Sequence, residues 1–154
     1  MSIEFLQTGR AILLGGLSAG VLDFTGACVS SAPRGVTPLR VAQSVASGVL
    51  GRAAFNGGYK TGALGVALHF FIALGAATVF CVASTRLSWL AKHPWLSGVL
   101  YGITVYWFMQ LIVLPLSAIA FKRSFSWPFV ATGLIVHVLC VGLPIALVAR
   151  WQTK

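Results

Sequence analysis

Acidic residues are almost missing from this sequence: Glu4 and Asp23 are the only two in 154 positions. Charge of either sign is scarce, at 8% of residues against roughly 25% in soluble domains. A water-facing surface cannot be built from so little, which excludes an ordinary soluble fold. The eleven Lys and Arg fall between apolar runs and never inside one, so no base stands near Asp23 within a run. They form no cluster and no recognition motif, and a nucleic-acid partner is excluded on that ground. Cysteine is sparse too. Cys28, Cys81 and Cys140 are odd in number, far apart and set in apolar stretches, which argues for small buried hydrophobes and against a disulfide framework.

What the chain has in abundance is hydrophobic sequence, 58% of residues with a mean hydropathy of +0.91. Four runs stand out, over 11–32, 61–84, 96–120 and 128–149. Each is long enough to cross a hydrocarbon core of about 30 Å, which takes about 20 helical residues. The expected fold is all-α: a single domain over 1–154, an integral-membrane four-helix bundle. The first run is expected to stay as a span and not to be removed as a signal, because Asp23 and Phe24 interrupt it and Glu4 spoils a basic leader. Trp89, Trp95, Trp127 and Trp151 fall at the expected span ends, where amphipathic rings settle among headgroups.

Four spans put both termini on one side. Arg10, Arg86, Lys92, Arg150 and Lys154 share that side, while Arg34, Arg40, Arg52, Lys60, Lys122 and Arg123 stand on the other. Five against six does not orient the chain. The long first connection loses some of its vote if it lies in the membrane, which tips the expectation to cytoplasmic termini. Within that connection Thr37-Pro38 is a helix start and Gly51 a helix stop. Val41, Ala42, Val45, Ala46 and Val49 form an apolar stripe, with Arg40, Gln43, Ser44 and Ser47 opposite. An interfacial amphipathic helix over 38–50 is expected, with a re-entrant hairpin turning at Asn56-Gly57-Gly58 as the alternative. Arg34, Arg40, Arg52 and Lys60 would then contact anionic lipid headgroups.

Each span carries one strongly polar residue: Asp23, His69, Gln110 and His137. All lie roughly 12–15 Å from the span ends that face the first and third connections, which makes one layer near the midplane. Small residues share their faces: Gly16, Gly20 and Ala27 with Asp23, Gly62, Gly65, Ala73 and Ala76 with His69, and Gly133 and Cys140 with His137. Tyr106 and Ser117 share that of Gln110. Small residues let membrane helices approach, so the layer is expected to face inward. Interhelical hydrogen bonds between such groups act as glue, at about 0.6 kcal/mol each. Asp23 differs, since an acid at span centre costs about 2.5–3.5 kcal/mol on insertion scales. It must be protonated or paired with a histidine. Two histidines at one depth also suit haem iron, and two with a carboxylate suit a transition metal. Pro115 and Pro144 are expected to kink the last two spans.

The halves echo one another. Gly16-x-x-x-Gly20 matches Gly98-x-x-x-Gly102, and Gly65-x-x-x-His69 matches Gly133-x-x-x-His137, the pattern of a parallel two-span duplication.

Three segments, Ser44 to Gly51, Leu68 to Ala73 and Val113 to Ser117, resemble a family of small four-helix bacterial inner-membrane proteins of unknown function. The resemblance implies a multi-pass place in the bacterial inner membrane and no particular chemistry. More loosely, Asp23 in the first span is similar in placement to the membrane-embedded acid of the small multidrug transporters. The chain departs from them in its length, its extra helix and its intramembrane histidines. The leading expectation is a non-enzymatic accessory or assembly protein whose polar layer binds the helices together, acting as a homodimer or with a membrane protein partner. The alternatives are a proton-coupled small transporter using Asp23, and a haem or metal protein using His69 and His137. Hydrolysis is disfavoured, because no nucleophile–base–acid set can be assembled.

Overall fold

The computed structural model describes residues 3–119 and 126–152, all of whose regular elements are helical. Lys122, Arg123 and Lys154, which entered the charge comparison, lie outside the described residues. Helix α1 spans Ile3–Ser31, α2 Pro38–Leu50, α3 Gly58–Arg86 and the short α4 Ser88–Lys92. Helix α5 runs Pro94–Leu116 and α6 Trp127–Trp151. Among the described residues, four stretches are long and apolar enough to cross a membrane: Leu6–Arg34, Gly58–Arg86, Pro94–Leu116 and Trp127–Trp151. The third ends earlier than its hydropathy implies. Ser117 turns extended (φ −83°, ψ 165°), and the next amide, of Ala118, donates to Gly48 O at 2.8 Å. Trp89, Trp95, Trp127 and Trp151 are exposed at helix ends.

The helices are large outside and small inside. Along α1, Leu13, Leu14, Leu17 and Val21 are exposed, while Ala11, Gly15, Gly16, Ala19 and Gly20 are buried. Two closely packed pairs result. A Cβ added to Gly16 would lie 2.9 Å from Leu74 Cα, and one on Gly20 2.7 Å from the Phe70 ring, so α1 and α3 meet there. In the second pair Gly98 and Gly102 of α5 face Leu143, Gly142 and Val138 of α6. Backbones can come this near only where side chains are missing. The pairs join through α1 and α6, where Ala11, Ala19, Ile145, Ala146 and Ala149 are almost wholly buried. Ala11 and Ala149 share that cluster, so the start of α1 and the end of α6 lie together.

The repeat visible in the sequence recurs as contacts. Gly16 and Gly20 seat α1 on α3 as Gly98 and Gly102 seat α5 on α6. One turn further along, Phe24 stands edge-on to His69 and Tyr106 edge-on to His137, both with ring centroids 5.4 Å apart. The symmetry fails at one seam. Where α1 presents Ala19 to α6, the matching residue of α5 is Tyr101, which faces α3 with its ring 5.0 Å from that of Phe80. Accordingly α1 and α6 close together while α3 and α5 have almost no close backbone approach.

Where kinks were expected, both prolines are accommodated in one way. A π-helical turn covers Met109–Val113 before Pro115, and another His137–Gly142 before Pro144. Proline offers no N–H and crowds the turn before it. The residue preceding each proline donates five positions back instead, Leu114 to Met109 O and Leu143 to Val138 O. The widened turns carry Gln110 and His137.

Helix α2 begins and ends where its capping residues place it. Thr37 accepts from Arg40 N at 3.3 Å, Pro38 holds the first turn, and Gly51 leaves the helix at φ 58°. Its packing corrects the face expected to be polar. Besides Val41, Ala42 and Ala46, it buries Gln43 and Ser47 from the supposed polar face. Gln43 Nε2 donates to Gly58 O at 3.1 Å, which satisfies it away from solvent. Helix α2 crosses α3 at Gly62 and Gly65, and any Cβ on Gly65 would strike the carbonyl of Ala42.

Gly102→Ala puts a methyl about where Val138 Cα and His137 O stand, 2.6 and 2.7 Å away. It is expected to destabilise the protein by about 1–3 kcal/mol, as overpacking does. Gly75→Ala, with open space around it, is expected to be neutral. Unfolding of the two purified variants in mixed micelles checks the contrast.

Candidate functional site

All four residues of the polar layer line one cavity of ≈260 Å³. Asp23 reaches it from α1, His69 from α3, and Gln110 and His137 from the two π turns. Ser44, Val45 and Gly48 of α2 line it too, as does Ser117 past the end of α5. Sequence depth and small-residue faces had placed the first four residues together. They gave no sign that α2 would join them, because its periodicity describes a surface helix.

Asp23 and His69 form the electrostatic centre. Asp23 Oδ2 lies 4.0 Å from His69 Nε2, with side chains 19% and 13% exposed. That distance attracts but makes no hydrogen bond. His69 Nε2 instead stands 2.9 Å from Gly20 O, one turn before Asp23 on α1. A carbonyl only accepts, so Nε2 carries a proton there and donates it. Asp23 Oδ1 is buried and has no hydrogen-bond partner among the described residues. A buried carboxylate oxygen without a donor is costly. No Lys or Arg is among the described residues lining the cavity.

His137 is held differently. Its Nδ1 stands 2.9 Å from Gly133 O within its own helix and, by the same argument, donates to it. That bond leaves Nε2 as its other ring nitrogen. The backbone thus orients both imidazoles, one across helices and one along its own. Glue describes His69, which ties α3 to α1, but fits neither His137 nor Asp23 Oδ1.

A metal would need a convergent ligand set. Among the described residues, no three His, Cys, Asp or Glu side chains form a group that could hold one. The expected pairing of two histidines and a carboxylate around a metal is therefore not assembled, although His69 and Asp23 are neighbours. The cavity is a little below the roughly 300–1,000 Å³ of pockets for drug-sized ligands, and it suits a small solute.

The basic residues expected at headgroups are all exposed: Arg34, Arg40, Arg52 and Lys60. Two of them also serve the fold. Arg34 donates to Ser30 O and Ser31 Oγ, both at 3.0 Å, closing the end of α1. Arg40 donates to Phe55 O at 3.0 Å and lies over the Phe55 ring, 4.7 Å from its centroid.

A carboxylate kept in apolar surroundings short of donors lowers stability, and its amide costs less to bury. Asp23→Asn is therefore expected to raise resistance to unfolding by about 1 kcal/mol or more, read from unfolding of the purified protein. A loss of stability would mean that the carboxylate is part of the glue. No family model, curated protein or solved structure matches this chain.

Proposed function

We propose that this is a bacterial inner-membrane protein that moves a small solute in exchange for protons, with the Asp23 cavity as the shared binding site. One observation carries the reading. Among the described residues, Asp23 Oδ1 is buried without a donor beside a cavity that His69, Gln110 and His137 also line. Polar groups placed only to bind helices would spend their hydrogen-bonding capacity on one another, and Asp23 does not.

In this reading Asp23 holds a proton or releases it to take a donor from the solute. His69 Nε2–H stands 4.0 Å from that carboxyl and stays on Gly20 O, so it holds the wall of the site in place. Gln110 and His137 line the cavity from turns that can tighten to α-helix, and π turns often mark functional positions in helices. The resemblance to small bacterial inner-membrane proteins supports the location. The accessory-protein reading keeps one observation in its favour, the His69–Gly20 bond, which ties two spans together whatever else the layer does.

The proton is the known half of the exchange, and infrared spectroscopy of the protein in lipid follows it. The difference between wild type and Asp23→Asn isolates the Asp23 carboxyl band. That band is expected to respond reversibly to a pH sweep, and to respond differently in His69→Ala. A carboxyl locked in one protonation state across the sweep overturns the proposal.

A further inference from the structure

The seam between α3 and α5 holds two cavities. The first is the ≈260 Å³ Asp23 cavity, whose α3 wall is Ile72, Ala73 and Ala76. The second, of ≈180 Å³, follows along the same seam towards α4, walled by Val79, Phe80 and Ala83 of α3 and by Ser97, Leu100 and Thr104 of α5. Ala76 borders one and Ala83 the other, two turns or about 10 Å apart along one helical face. Tyr101 lies between them. Its hydroxyl donates to Ala76 O at 2.6 Å, its ring leans on Phe80, and its side chain forms part of the wall of the second cavity.

The geometry points to the α3–α5 seam as the solute's route across the membrane, with Tyr101 as the barrier that separates its two halves. The inference rests on the transport reading and adds the path and the gate to it. The matching contacts of the two halves say why the route lies here. The equivalent seam, between α1 and α6, is sealed by Ala19, Ile145 and Ala146, all wholly buried. Replacing the small residue with Tyr101 in the second unit wedges α5 from α3. It also supplies one polar latch to hold the wedge shut.

The latch is a single hydrogen bond to a backbone carbonyl, made by a side chain that reaches across the seam. Swinging the ring away from Ala76 breaks that one bond and joins the two cavities. A barrier of this kind opens without separating the closely packed pairs on either side, because Gly16, Gly20, Gly98 and Gly102 lie on other faces. With the barrier shut, the proton site is open to the α2 side alone.

Cysteine accessibility tests the arrangement. In a chain whose Cys28, Cys81 and Cys140 are replaced by Ala, Ala76→Cys and Ala83→Cys are introduced singly. Each is exposed to a membrane-impermeant thiol reagent in sealed vesicles of both orientations. With Tyr101 present, Ala76→Cys is expected to react from the side of α2 and Ala83→Cys from the side of α4. Adding Tyr101→Phe removes the hydroxyl and keeps the ring, and is expected to raise labelling of Ala76→Cys from the α4 side by about two- to tenfold, the worth of one hydrogen bond. Labelling that ignores Tyr101→Phe, equal labelling of both cysteines from both sides, or none from either side overturns the gate. The Asp23 infrared titration does not depend on these variants. A titrating carboxyl with a failed gate removes only the route, whereas a carboxyl that never titrates removes the transport reading and the gate with it.

Discussion

A carboxyl group in the middle of an apolar helix, with no lysine or arginine in any span to neutralise it, constrains this protein more than any other feature. Charge in hydrocarbon is costly, by about 2.5–3.5 kcal/mol even on the most lenient scales. The fold meets the cost only in part. It sets His69 at 4.0 Å from Asp23, too far to bond it, and directs the imidazole N–H to Gly20 O. What stays uncompensated is Asp23 Oδ1, and around it the chain builds a cavity where a bundle held by polar glue would have built contacts.

The rest of the architecture supplies that cavity. Small residues draw α1 onto α3, α5 onto α6, and α1 onto α6, which fixes three seams and leaves the fourth open. Two prolines widen the last two spans at the depth of Asp23, bringing Gln110 and His137 to the cavity wall. Helix α2, which would otherwise ride on the surface, packs across Gly62 and Gly65 and contributes to the same wall. The paired halves use the same glycine contacts and the same aromatic–histidine contact. They differ where the chemistry lies: Asp23 occurs in the first unit only, and Tyr101 in the second only.

Much of this was legible in the sequence, for identifiable reasons. Span number follows from hydropathy because a bilayer has one thickness. The depth of Asp23, His69, Gln110 and His137 follows from counting residues along a helix, and their inward faces from the glycines and alanines that share them. Helix α2 was legible to its ends because Thr37-Pro38 and Gly51 act locally. Its burial was not, because Gln43 and Ser47 read as solvent-facing until Gly58 O and the α3 surface stand beside them. The π turns hid behind Pro115 and Pro144, which announce a disturbance without saying how a helix absorbs it. The open seam was hidden as well, since it depends on the contrast between Ala19 and Tyr101 across two units whose alignment the contacts reveal.

The central claim is that the polar layer faces a water-accessible cavity inside an apolar bundle. Water-edited solid-state NMR of the protein in lipid bilayers tests it most directly, by timing the passage of magnetisation from water to individual side chains. Fast transfer to Asp23, His69, Gln110 and His137, against slow transfer to the sealed Ile145 beside α1, is the result this account predicts. Polar side chains as dry as Ile145 would contradict it and return the layer to the role of glue.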